Sequence, residues 1–196
     1  EMIDLVVGMR EKLREVHRTS GQVMVWSGSG SAGWEAALQN CLRPGDHVVV
    51  TVCGSFGERF AAVAERLELR VTRIAVPWGE PVTAEQVAET MAAHRDVRAV
   101  LVTHNETSTG VTNPLQEIAQ VARAAGALVI VDAVSSVAAM PLETDAWGLD
   151  WVISGSQKAW MCPPGLMIAA VSDRAMQAAA RDGGFPRFFW DAEKMA

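Results

Sequence analysis

The 196-residue chain has no tyrosine, three cysteines and three lysines, beside fourteen arginines. Without tyrosine, no phenol of this chain can donate a proton or a ring-side hydroxyl. Cys41, Cys53 and Cys162 are too few and too scattered for a disulfide framework, which points to a reducing, cytoplasmic compartment. No window of about 18 residues is free of charged and polar groups, so no transmembrane span is expected. The opening Glu1–Asp4 lacks the basic-then-apolar layout of a signal peptide. An excess of positive charge is missing as well: the formal net charge is −6, which argues against a nucleic-acid surface. Small anionic ligands stay open, because a local site can oppose the global sign. What is abundant is apolar: 49% of residues are hydrophobic and 20% charged, which excludes disorder and suits one large domain with its own core.

Periodicity then orders the chain. An amphipathic helix is expected over Met2–Val16, with Val6, Leu13 and Val16 among its apolar positions. Short β-branched runs follow at Gln22–Trp26, His47–Val52, Arg70–Ala75, Ala99–Thr103, Leu128–Val131, Trp151–Ser154 and Met167–Val171. Helical patterns lie between them at Ala32–Leu42, Gly57–Leu67, Ala84–His94, Pro114–Ala125 and Asp173–Arg181. Thr83 with Gln86 spells a capping box, Asn113-Pro114 opens a helix and Gly126 closes one. Runs such as Ala99–Val102 and Leu128–Val131 are apolar on both faces, as in strands of a parallel sheet covered by helices. The fold expected is α/β, a mostly parallel, doubly wound sheet flanked by helices. Near the end, Phe188-Phe189-Trp190 reads as an exposed aromatic patch.

In such sheets ligands sit at the carboxyl ends of strands. After the first strand comes Ser27-Gly28-Ser29-Gly30-Ser31-Ala32-Gly33, opening a helix whose free N–H groups suit a phosphate. Gly28–Gly33 also fits G-x-G-x-x-G, but a dinucleotide site expects an acid at the end of the next strand, where Thr51-Val52-Cys53-Gly54 has none. A purely structural tight turn is the other reading. After Leu128–Val131 stands Asp132, a carboxylate costly to ionise unless it meets a cation or donors, or else a helix N-cap. After Trp151–Ser154, Lys158 lies in the apolar, Pro-rich stretch ending at Leu166. It is a candidate Schiff-base amine if desolvated and an ordinary snorkelling lysine if not. A cofactor with a phosphate, an aldehyde and a basic ring nitrogen would use all three features, and pyridoxal 5'-phosphate is such a cofactor.

Here the sequence resembles the class V aminotransferases of the fold-type I pyridoxal-phosphate superfamily, most of all the alanine–glyoxylate and serine–glyoxylate group. The likeness rests on Ser27–Gly30 with Glu35–Leu38, Phe56–Arg59, Thr103–Val111, Val131–Ser136, and Ser154–Lys158 with Pro163–Gly165, in family order over most of Val23–Val171. The resemblance implies that Lys158 forms the Schiff base and moves the proton at the substrate Cα, and that Asp132 pairs with the ring nitrogen. Ser29, Gly30 and Ser31 would cradle the phosphate with Gln157 nearby. Phe56 and Val134 would take the two ring faces, and Thr107 would hydrogen-bond the ring hydroxyl. His104, Ser108, Ser135 and Ser136 are left structural parts. Implied with these are transamination between a small amino acid, serine or alanine, and an oxo acid such as glyoxylate or pyruvate, and a homodimer with a shared site.

The organisation expected is an N-terminal helix over 1–20, a cofactor-binding large domain over 21–182, and from 183 to 196 the start of a connection. That connection would lead to a C-terminal small domain whose arginine grips the substrate carboxylate in relatives. Cysteine desulfurase, kynureninase-like and phosphonate-specific enzymes share the same core. From other classes come a nicotinamide-dependent oxidoreductase built on Gly28–Gly33 and a non-catalytic relic that binds a partner through its aromatic end. No metal site is expected.

Overall fold

The computed structural model describes residues 2–195; Glu1 of the expected N-terminal unit and Ala196 of the expected connection lie outside it. Helix α1 (Met2–His17) leads into β1 (Gln22–Ser27), α2 (Gly30–Cys41), β2 (His47–Val52), α3 (Ser55–Arg66) and β3 (Arg70–Ala75). Then come α4 (Ala84–Ala93), β4 (Val97–Thr103), a hairpin of β5 (Asn105–Glu106) and β6 (Val111–Thr112), α5 (Leu115–Ala124) and β7 (Leu128–Asp132). The chain continues through α6 (Thr144–Trp147), β8 (Trp151–Gly155), β9 (Leu166–Val171), α7 (Asp173–Ala179) and α8 (Ala192–Met195).

Seven strands form one sheet in the order β1-β9-β8-β7-β4-β2-β3. The central strands β2, β4, β7 and β8 are buried along almost their whole length, as runs apolar on both faces require. One face packs on α2, α3 and α7 through Leu38, Phe60 and Ala175, the other on α1, α4 and α5 through Leu13, Val87 and Ile118. The fold is therefore the expected α/β layering with a mostly parallel sheet. The exception is β9, antiparallel to both β8 and β1. Only residues 156–165 separate β8 from β9, and they include Pro163-Pro164. That is too short for a parallel crossover, which needs a dozen residues or more, so the chain turns straight back.

The boundary signals act as read. Thr83 Oγ1 accepts from Gln86 N (3.3 Å) and Gln86 Oε1 from Thr83 N (2.9 Å). Gly126, with φ of 82°, turns the chain out of α5. Two expectations need correction. Trp190 is not part of an exposed patch: it packs edge-on to Trp26 at 6.2 Å, and its carbonyl accepts from Asn40 Nδ2, leaving Phe188 and Phe189 exposed. Asp132 caps no helix, since turns follow it and its Oδ1 accepts from Val134 N two residues on (3.0 Å).

Candidate active site

At the carboxyl ends of β1, β4, β7 and β8 lies a cavity of about 170 Å³ lined by Ser29, Gly30, Ser31, Trp34, Phe56, Asn105, Thr107, Asp132, Val134, Ser135, Gln157 and Lys158. All nine residues singled out from sequence are among them. A roomier cleft of about 560 Å³ lies at the opposite edge, lined by Arg95, Arg98 and Arg181. Helix C-termini gather there, and Arg181 donates to the Cys41 carbonyl at the end of α2.

Each wall of the cavity has a local cause. Helix α2 starts at Gly30 with Ser29 as N-cap, yet Ser29 makes no side-chain cap bond and the first turn holds no acid. The positive end of the helix thus faces the cavity without a protein anion. Gly30 is obligatory there: a Cβ would stand 2.4 Å from Val134 Cγ2. One turn further, Trp34 is buried and stacked on Phe60 at 5.2 Å. Its Nε1–H donates to Asp132 Oδ2 at 3.1 Å. Sequence reading missed Trp34. The available signal was its i, i+4 relation to Gly30, which puts both on the helix face turned to the strand ends.

Asp132 is 5% exposed at the end of β7. Burial pushes its carboxyl up to about 6, against the hydrogen bonds from Val134 N and Trp34 that favour the charged form; the Glu106 charge raises it further and the Lys158 charge lowers it. Each Asp132 oxygen accepts one protein donor, which leaves acceptor capacity directed at the cavity. Lys158 is half-buried rather than fully desolvated, on the turn after β8, while Lys12 and Lys194 are exposed. Thr107 Oγ1 donates to Ser135 Oγ (3.1 Å), which donates to the Asn105 carbonyl (3.0 Å). His104 lies behind this wall, paired with Ser136 Oγ at 3.0 Å and set edge-on to Trp147, and burial lowers its ring to about 4.

The arrangement fits pyridoxal phosphate: uncapped helix N–H groups for a phosphate, a buried carboxylate for a protonated ring nitrogen, and an amine for an aldehyde. It does not fit a dinucleotide. The strand that follows the Gly-rich turn in a dinucleotide fold lies beside the first, whereas here four strands separate β1 from β2. Among the described residues no group of three or more His, Cys, Asp or Glu is placed to hold a metal.

Sheet order and cavity together are those of the large domain of fold-type I transferases. An alanine–glyoxylate aminotransferase from Nostoc sp. superposes with a TM-score of 0.90 at 34% identity, over 95% of this chain and 50% of that one. The chain belongs to the class-V aminotransferase family, whose model matches residues 1–187. It is 41% identical over 182 residues to an L-aspartate–glyoxylate aminotransferase of Paracoccus denitrificans, covering 91% of this chain and 46% of the relative. It is also 40% identical over 197 residues to a Synechococcus protein named soluble hydrogenase, small subunit, covering 99% and 51%. The chain spans about half the length of these curated relatives.

Proposed function

We propose that this chain is the cofactor-binding part of a pyridoxal-phosphate-dependent aminotransferase. Its reaction moves an amino group between a small amino acid and an oxo acid such as glyoxylate or pyruvate, with serine or alanine as donor and aspartate added by the Paracoccus relative's name. The observation that carries the reading is the meeting, in one cavity, of an uncapped helix N-terminus, a buried carboxylate and the chain's one lysine that is not exposed.

Pyridoxal phosphate, when bound, supplies an aldehyde for the substrate amine and a ring that absorbs the electrons of the Cα bond. The chain's own groups do the rest. The N–H groups of Ser29, Gly30 and Ser31 hold the phosphate, with Gln157 beside them. Phe56 and Val134 fix the plane of the ring and keep water from its faces, and Thr107 holds the ring hydroxyl. Asp132 would hold the proton on the ring nitrogen, because the protonated ring would supply the cation that this buried carboxylate otherwise lacks. Lys158 would supply the amine for the cofactor's aldehyde and would serve as the base that takes the substrate Cα proton.

The homodimer belongs to the same proposal. Leu5, Val6 and Met9 expose apolar side chains on one side of α1 that a second copy would cover. The free cysteines fit a cytoplasmic setting, and no helix among the described residues is long and apolar enough to cross a membrane.

Loading the protein with pyridoxal phosphate and adding L-serine, L-alanine or L-aspartate singly tests the reaction. At least one should turn the cofactor into pyridoxamine phosphate with an equal amount of oxo acid released. Cofactor bound at Lys158 but unchanged by all three would point to another reaction on the same scaffold.

A further inference from the structure

Glu106 is wholly buried, and nothing in the catalytic scheme uses it. Its partners are all uncharged donors. Oε2 accepts from Phe56 N and Gly57 N, both at 3.0 Å, and Oε1 accepts from Ser108 N at 3.1 Å and Ser108 Oγ at 2.7 Å. Ser108 Oγ in turn accepts from Ser55 N at 2.9 Å. The first three N–H groups of α3 are thus taken by two side chains of the segment that carries the β5–β6 hairpin.

The helix cannot do this for itself. Its N-cap is Gly54, which has no side chain to offer, and no side-chain cap bond is made there. Gly54 is also what lets the carboxylate in: a Cβ at that position would lie 2.4 Å from Glu106 Cγ and 2.6 Å from its Cδ. A negative group at the start of a 12-residue helix is electrostatically favoured, which offsets the cost of burying it. The two residues this joins are Phe56, in the first turn of α3, and Thr107, between Glu106 and Ser108, and both line the cavity.

We propose that Glu106 is a positioning residue for the cofactor ring: its carboxylate pins the turn carrying Phe56 to the segment carrying Thr107 and so sets the slot between the ring's face and its hydroxyl. The role rests on the proposed function. A glutamine cannot replace it, because one end of the amide is a donor and would meet an N–H or O–H donor on one side.

The test is Glu106→Gln, read in two ways. In the cofactor-free protein, amide hydrogen exchange at Phe56 and Gly57 should accelerate about tenfold, the loss of roughly one hydrogen bond to a charged acceptor. Binding of pyridoxal phosphate, followed by fluorescence quenching, should weaken about tenfold, with reduced circular dichroism of the bound ring while Lys158 still reacts. Faster exchange with wild-type affinity and dichroism would make Glu106 a helix cap and overturn the role, as would no change in either. Should Glu106→Gln fail to fold, Ser108→Ala, which removes the 2.7 Å donor, is expected to weaken binding in the same direction, and wild-type affinity there overturns the role. Absence of pyridoxal phosphate uptake by the wild-type protein is a different result: it overturns the proposed function itself, and the positioning role with it.

Discussion

Asp132 stands at the end of a strand that is otherwise apolar, and its chemistry is set by what meets it there. Among the described residues Trp34 is the one side chain that donates to it, across 98 positions of sequence. Trp34→Phe keeps an aromatic ring beside Phe60 and removes the donor together with part of the buried indole. The Asp132 carboxyl should then titrate above its present value of about 6, seen by carbon NMR of the carboxyl, and stability near neutral pH should fall by about 1–3 kcal/mol in urea unfolding. Lys158 and Asp132 were legible in the sequence because each breaks a pattern, a charge set at the end or edge of an apolar run. Trp34 and Glu106 were not. A tryptophan among alanines of a helix reads as core, and a glutamate two residues from a histidine reads as loop. What each does depends on where an N–H or a carboxylate points in space.

Among the elements, α2 carries the most function for its length. Gly33 lies one turn beyond Ser29, and a Cβ there would stand 2.4 Å from Ile153 Cγ2 and 3.1 Å from Met167 Cγ. Gly33→Ala should therefore push α2 off β8 and β9, costing about 1–3 kcal/mol and weakening pyridoxal phosphate binding together. Thr83→Ala, which breaks the capping box of α4 far from the cavity, should cost about 1 kcal/mol and leave cofactor affinity unchanged; thermal melts with fluorescence titration separate the two cases. The long strands and helices were legible because burial on one or both faces imposes a period. The direction of β9 leaves no such mark, and only the shortness of residues 156–165 could have shown it. Strands β5 and β6, two residues each, are too short for any period to appear.

At the scale of the whole molecule, three buried groups shape the dependence of stability on pH. Burial lowers the rings of His17 and His104 from 6.5 to about 4, so the stability they support is full above 6.5 and is lost as pH falls to 4. Asp132 works the other way. Its carboxyl is raised from 3.8 to about 6, so its contribution is full below 3.8 and is lost as pH rises to 6. Two groups outweigh one, and urea unfolding across pH 6.5 to 4 should show stability falling on acidification. Asp132→Asn, which removes the opposing group, should make that fall steeper; an unchanged slope would mean that Asp132 keeps its ordinary proton affinity. The layered α/β fold was readable from the order of runs, and the place of the candidate site from where its residues fell at strand ends. The most direct test of that convergence is chemical. The protein is incubated with pyridoxal phosphate, reduced with borohydride, digested and mapped by mass spectrometry. A phosphopyridoxyl group on Lys158, absent from Lys12 and Lys194 and lost in Lys158→Ala, is the predicted result; a digest in which Lys158 remains unmodified would contradict it.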